Sequence, residues 1–392
     1  MQKLPKKLQA KLTQRSQENA LRKLPVAHNL IDFSSNDYLG FAKNETLYSN
    51  IFQLLLKKSI FQNGASGSRL LTGNHELYAI LEEQLAIFHG EEAALIFNSG
   101  YDANIGFFAS VPQRGDIILY DEFIHASIRD GIKMSDAQGY KYKHNDLDDL
   151  AAKFKVVSSQ KLQEAELYIV TESVFSMDGD TPDLAALVTF SNANNCRLVV
   201  DEAHAIGIFG KNGQGMLQDL GLHRQVFARI ITFGKAMGAH GAAILGSASL
   251  RDYLLNFARS LIYSTALSPH AIATVIAAYQ YLQTESGQTA LQLLQDNISY
   301  FNMRLEALSC QKAGMQLQTF FIPSRSAIHA CLLPGNKKVK SFAQQLSEEG
   351  FDVKAILSPT VPEGSERLRF CLHSYNSKEE IGLALQILST YL

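Results

Sequence analysis

Arg197-Leu-Val-Val-Asp201-Glu202-Ala203-His204 and Arg229-Ile-Ile-Thr232-Phe233-Gly234-Lys235 are the two stretches on which the reading of this chain turns. In each, a short run that is apolar on both faces stops at polar, chemically capable residues. A strand of that kind is buried on both sides, as in parallel sheets covered by helices. Working outward, Ala93-Ala-Leu-Ile-Phe97, Asp116-Ile-Ile-Leu-Tyr120, Leu167-Tyr-Ile-Val-Thr171 and Gly241-Ala-Ala-Ile-Leu245 share the form, with helix-length segments between them. The pattern predicts an α/β domain with a mostly parallel sheet over residues 49–283. Further on, a long helix through Leu291–Leu308 precedes strands near Ala327–Leu332 and Arg367–Leu372, with helices around Val339–Glu349 and Lys378–Leu392. This α+β pattern is assigned to a smaller domain at 284–392, with residues 1–48 as a segment packing against it.

Composition narrows the possible functions. Of 392 residues, 46% are hydrophobic and 19% charged, the balance of a globular protein with a sizeable core. A net charge of -2 and a pI near 6.6 provide no drive toward nucleic acid or an anionic membrane. Cys196, Cys310, Cys331 and Cys371 lie far apart with no metal-ligand spacing, so they read as buried thiols in a reducing compartment, with no metal expected. No apolar run approaches the roughly 20 residues that span a bilayer, and the first residues lack a signal-peptide core. A cytoplasmic protein is the expectation. Leu4, Leu8 and Leu12 recur at helical spacing among Lys3, Lys6, Lys7 and Lys11. That predicts a helix lying across its own domain with its lysines in solvent, in preference to a membrane-surface helix.

Reactive groups in such sheets collect at the carboxyl ends of the strands. Past Phe97, the turn Asn98-Ser99-Gly100-Tyr101 opens a helix whose free N–H groups form a seat for phosphate, although Ser-Gly turns before helices are common. Asp201 stands at a strand end, where a carboxylate either caps a helix or meets a ligand. The tetrapeptide Asp201-Glu202-Ala203-His204 also spells a helicase motif, but the phosphate-binding loop that reading requires is missing, because Gly234-Lys235 is followed by Ala236. Lys235, set among small residues directly after an apolar strand, is badly placed for a solvated charge. Burial there favours its neutral amine or an imine. A carboxylate followed 34 positions later by such a lysine, with a phosphate seat upstream, is the layout a pyridoxal-phosphate site requires. The cofactor's aldehyde takes the amine, its ring nitrogen the carboxylate and its phosphate the helix N-terminus.

Six motifs in order carry a resemblance over essentially the whole chain: Ser35-Asn36-Asp37-Tyr38-Leu39-Gly40, Phe175-Ser176-Met177-Asp178-Gly179-Asp180, Val200-Asp201-Glu202-Ala203-His204, Thr232-Phe233-Gly234-Lys235, Ile262-Tyr263-Ser264-Thr265 and Pro359-Thr360-Val361-Pro362. The chain resembles the α-oxoamine synthases, a branch of the fold-type-I pyridoxal-phosphate enzymes. The resemblance implies a large domain with a seven-stranded, mostly parallel sheet, a smaller α+β domain, and a homodimer. It implies that Lys235 binds the cofactor's aldehyde, Asp201 pairs with the ring nitrogen, and His125 stacks on the ring face. Ser176 and His204 would bond the 3′-oxygen; Ser99, Gly100, Tyr101 and Thr232 would hold or flank the phosphate, with Thr265 reaching the partner subunit's phosphate. On the substrate side it implies Arg369 as the clamp for an amino-acid carboxylate, a bidentate task suited to arginine, with Arg22, Asn36 and Thr360 beside it. Arg22 lies in a basic segment and has plain solvation as its competing reading.

The activity this implies is decarboxylative condensation of an amino acid with an acyl thioester, carried on coenzyme A or on a carrier protein. Motif similarity favours alanine and a pimeloyl thioester over glycine or serine with other acyl chains; an aminotransferase is the rival of another class. Lys235 would take the α-proton, and Lys235 and His125 are the candidates for returning one. Two departures touch only the acyl side. Leu357-Ser358 stands where many relatives carry an arginine, and Val26–Ile31 is short, without a small hairpin seen in relatives.

Overall fold

A computed structural model describes residues 4–22, 24, 29–159, 164–311 and 317–392. Two units emerge: Asn36–Ser176 with Thr181–Leu293, and Met1–Ser35 with Met177–Asp180 and Leu294–Leu392. Compared with the expected segments 1–48, 49–283 and 284–392, the division falls earlier at the first junction and later at the second. The later one lies within the continuous helix Glu285–Gln311, where no turn residue marks the change.

The larger unit is built on a seven-stranded sheet in the order Ala93–Phe97, Ala242–Gly246, Ala228–Thr232, Arg197–Asp201, Leu167–Glu172, Ile117–Asp121, Gln138–Tyr142. Six strands run parallel, and Ala242–Gly246 alone is antiparallel to both neighbours. The edge strand Gln138–Tyr142 was not legible in the sequence because only Tyr142 of its residues is buried. Side chains alternate across the sheet. Ile117, Leu119, Leu167, Ile169, Leu198 and Val200 enter one apolar cluster, while Ile118, Tyr168, Val170, Val199 and Ile230 enter the other. Both faces are therefore dry, which is why the strands read as continuous apolar runs.

The reversed strand gives Lys235 an unusual setting. Ala228–Thr232 and Ala242–Gly246 are neighbours, so the loop Phe233–Gly241 joins them directly, without a crossover helix. Phe233 N–H donates to the Gly241 carbonyl at 2.9 Å, Ala239 N–H to Phe233 at 2.9 Å, and Gly238 N–H to Lys235 at 2.8 Å. Gly238, at φ +58°, passes so close to the backbone of Phe41 and Ala42 that a Cβ would stand 2.3 Å from the Ala42 nitrogen. Only glycine meets both demands.

In the smaller unit, Lys354–Ile356, Arg367–Cys371 and Ile328–Leu332 form an antiparallel sheet, and Ile31–Asp32 pairs in parallel with Phe351–Asp352. Helices Asn336–Glu348 and Lys378–Tyr391 belong to it, the latter opened by a reciprocal Ser377–Glu380 capping box. Met177–Asp180 joins this unit: Arg367 pairs with Asp178, and the Gly179 carbonyl accepts from Ser324 and Ser326 Oγ at 2.8 and 2.9 Å.

The first helix corrects one expectation. Lys6–Gln17 is helical but buries no residue, and Leu4, Leu8 and Leu12 stay 47, 48 and 47% exposed. A stripe one leucine wide, in a helix otherwise rich in Lys, Gln and Arg, offers too little apolar area to lie down on a domain. The following residues do the docking, through the Glu18 carbonyl, which accepts from Asn336 Nδ2 at 3.0 Å, and the Asn19 carbonyl, which accepts from Lys340. Cys331 and Cys371 are buried as expected, but Cys196 is only half-buried. Val26, Ala27 and His28 lie outside the described residues, as does the Cys310 side chain.

His329 is fully buried and stacked on Phe301 with ring centroids 4.2 Å apart, and burial holds its imidazole down to about 3. Unfolded, the same ring takes a proton below about pH 6.5, so stability is unaffected above that and falls as pH drops below it. His329→Phe should lose about 2 kcal/mol less stability than wild type between pH 7 and pH 5, read by urea unfolding at the two pH values.

Candidate active site

Alternation also aims the strand ends. Because Leu198 and Val200 face one cluster and Val199 the other, Asp201 points to the side of Val199; by the same count Glu172 shares a side with Tyr168 and Val170. Glu172 and Asp201 are direct partners in the strand register, so two carboxylates stand next to each other on one face. Helices Gly100–Phe108 and Ala126–Met134 cover that face. Their N-caps are Ser99, whose hydroxyl accepts from Asp102 N–H, and His125, whose ring accepts from Ser127 N–H.

Of the residues singled out from sequence, Gly100, Tyr101, His125, Asp201, His204, Thr232 and Lys235 line one cavity of about 190 Å³. A larger depression, of about 1560 Å³ and lined by Glu91, Arg197, Arg224 and Arg251, lies at the opposite ends of the strands and holds none of them. Ser99, Ser176 and Thr265 are not on the cavity wall: Ser99 caps its helix, and the Thr265 carbonyl accepts from Asn98 Nδ2 at 2.7 Å. Arg22, Thr360 and Arg369 belong to the smaller unit. There Arg22 Nη2 lies 3.4 Å from Thr360 Oγ1, and Arg369 is buried on the strand Arg367–Cys371. Leu357 accepts the Thr360 N–H through its carbonyl at 2.8 Å and brings no charge to this turn.

Hydrogen bonds fix the cavity walls. Asp201 Oδ1 accepts from Ala203 N–H and Oδ2 from Asn104 Nδ2, both at 2.9 Å. Asn104 Nδ2 also donates to Ser127 Oγ at 3.0 Å, and Ser127 Oγ lies 2.7 Å from His125 Nδ1. Glu172 accepts the backbone N–H of His125, and burial, with Asp201 alongside, raises its carboxyl well above the usual range despite the opposing Lys235 charge. Burial likewise lowers the His125 imidazole, with Asp201 opposing and Lys235 reinforcing. His204 Nδ1 is 2.8 Å from the hydroxyl of the fully buried Tyr38, which donates to Asn36 Oδ1 at 3.1 Å. Beneath the turn, Glu202 pairs with the fully buried Arg229 at 2.6 Å, and Arg229 also donates to the carbonyls of His89 and Gln214.

The sequence reading missed Asn104, Ser127, Glu172 and Tyr38. Glu172 could have been found by following the strand Leu167–Thr171 one residue further, to its same-face partner of Asp201. Asn104 and Ser127 sit in the first turn or so of their helices, and nothing in the local pattern distinguishes them from ordinary polar residues.

An amine, a carboxylate held by two N–H donors and a helix N-terminus with Gly100 at its first position meet in one cavity, together with a buried Asn104 Oδ1 that has no partner. That donor set fits pyridoxal 5′-phosphate, and with this sheet it defines a fold-type-I pyridoxal-phosphate enzyme. The aminotransferase class I and II family model matches residues 28–388. An 8-amino-7-oxononanoate synthase of Emericella nidulans is 38% identical, covering 98% of this chain and 95% of that one. A structure of the 8-amino-7-oxononanoate synthase of Francisella tularensis matches with a TM-score of 0.74 at 29% identity, over 92% of this chain and 97% of that one. A serine palmitoyltransferase from S. paucimobilis shares the fold at TM-score 0.86 and 23% identity, over 98% and 96% of the two chains. The chain belongs to the aminotransferase class I and II family and, within it, to the α-oxoamine synthases, which makes it a pyridoxal-phosphate-dependent acyltransferase.

Removing one partner of a buried ion pair strands the other charge. Glu202→Ala should therefore destabilise the protein by about 3 kcal/mol, measured by urea unfolding, because Arg229 cannot reach water and keeps only Glu91, at 3.2 Å, as a counter-charge.

Proposed function

We propose that the chain condenses L-alanine with a pimeloyl thioester, giving 8-amino-7-oxononanoate, a free thiol and carbon dioxide, in biotin biosynthesis. What carries this reading is the meeting of Lys235, Asp201 and the Gly100 helix N-terminus in one cavity, in a chain 38% identical to an 8-amino-7-oxononanoate synthase. Lys235 would hold the cofactor's aldehyde carbon, Asp201 its ring nitrogen and His125 its ring face. His204, with Ser176, would hold its 3′-oxygen, while Ser99, Gly100, Tyr101 and Thr232 hold or flank its phosphate. Thr265 would reach the partner subunit's phosphate in a homodimer. When bound, pyridoxal phosphate supplies an electron-withdrawing ring for the developing carbanion.

On the substrate side Arg369 is assigned the carboxylate, with Arg22, Asn36 and Thr360 as its neighbours in that task. Lys235 takes the α-proton of alanine, and the α-carbon then bonds to the thioester carbonyl carbon as the C–S bond breaks and the thiolate leaves. Loss of the carboxylate as carbon dioxide follows, and the same carbon regains a proton. Coenzyme A is the expected thiol, with a carrier protein as the other source. Thiols rather than disulfides at Cys196, Cys331 and Cys371 suit a reducing, cytoplasmic setting.

Purified protein supplied with pimeloyl-CoA should release free thiol with alanine and far less with glycine or serine, or when acetyl- or palmitoyl-CoA replaces the acyl donor. No release from any pair, with amino acids still altering the cofactor absorbance, would move the assignment to transamination. Lys235→Ala should abolish thiol release and the bound-imine absorbance together; a yellow, active variant would overturn the role of Lys235.

A further inference from the structure

We propose that Ser127 and Asn104 are positioning residues that lock the His125 imidazole as a neutral ring carrying its proton on Nε2. The Asn104 amide has two protons, and it gives one to Asp201 Oδ2 at 2.9 Å and the other to Ser127 Oγ at 3.0 Å. Turning the amide over would set its carbonyl against the Asp201 carboxylate, so its orientation is fixed. Ser127 Oγ, already accepting, has a single proton left, and its near neighbour at 2.7 Å is His125 Nδ1. The Ser127 backbone N–H points at the same nitrogen at 3.3 Å, as the cap of the helix Ala126–Met134.

An atom that receives two donors offers a lone pair. In the neutral ring the proton must then sit on Nε2, and a second proton on Nδ1 would face two donors already aimed at it. The charged groups around the ring divide: Lys235 and Arg129 also disfavour protonation, Asp201 and Asp130 favour it, and Glu172 is occupied by the His125 backbone N–H. All four members of the chain from Asp201 to His125 lie at the cavity wall, and Asn104 and Ser127 are 2 and 0% exposed, so water does not substitute for them.

The consequence rests on the proposed reaction. A neutral imidazole gives up its remaining proton far too reluctantly to serve as an acid. Of the two groups able to return a proton to the α-carbon, His125 is thereby withdrawn, and Lys235 both takes and returns it. His125 is left to donate a hydrogen bond.

The tautomer itself concerns protein atoms alone, so its test is independent of the substrates. The holoenzyme labelled with ¹⁵N-histidine, with the His125 signals identified by their loss in His125→Gln, should show the Nε2–H form and no titration between about pH 5.5 and pH 8. Ser127→Ala should raise the proton affinity of His125 about tenfold or more, bringing its titration into that range, and Ser127→Thr should restore wild-type behaviour. A wild-type ring carrying its proton on Nδ1, or charged at pH 7, overturns the proposal whether or not Ser127→Ala folds. So does a Ser127→Ala titration identical to wild type. Absence of thiol release with every acyl donor would overturn the reaction and leave the tautomer standing.

Discussion

Two carboxylates on one face of a dry sheet constrain everything around them. Glu172 and Asp201 face each other across adjacent parallel strands, under helices that exclude water, and two unscreened negative charges at that spacing repel strongly. The surroundings treat them unequally. Asp201 receives two N–H donors, while Glu172 receives one and has its carboxyl raised by burial and by its neighbour. Burial and the neighbouring carboxylate thus both favour the acid form of Glu172. Asp201, the partner with more N–H donors, is also the one proposed to meet the cofactor's ring nitrogen.

Much of this was legible in the sequence because the chemistry sits where strands end. The apolar runs stopping at Phe97, Asp201 and Thr232 located three walls of the cavity, and the apolar character of both strand faces announced the helical cover. What the sequence withheld was direction. Whether Asp201 and Glu172 point to the same side depends on a register between strands that no local pattern records. Asn104 and Ser127 are functional neighbours only because two helices bring their first turns together over that face. Tyr38 reads as one aromatic in an N-terminal motif, and only the fold puts its hydroxyl against His204.

Exposure explains the other shortfalls. Gln138–Tyr142 hides its strand character because one side chain of five is buried. At the N-terminus the opposite error arises, since leucine periodicity is visible without the apolar area needed to hold the helix down. Periodicity reports what a helix could bury; only the neighbouring surface decides what it does bury.

The reversed strand Ala242–Gly246 has a consequence for how this architecture can vary. In a parallel pair the connection is a crossover whose length is free to drift, because its helix can grow or shrink on the outer face. Reversal makes the lysine's connection a hairpin, stitched at Phe233 to Gly241 and pinned where Gly238 meets Phe41 and Ala42. Its length is therefore a gauge: an added residue has no slack to enter without moving the amine relative to Asp201 on the neighbouring strand. Variation in length is thus steered away from the loop that carries Lys235 and toward the crossover connections between the parallel strands, where no hairpin stitching counts the residues.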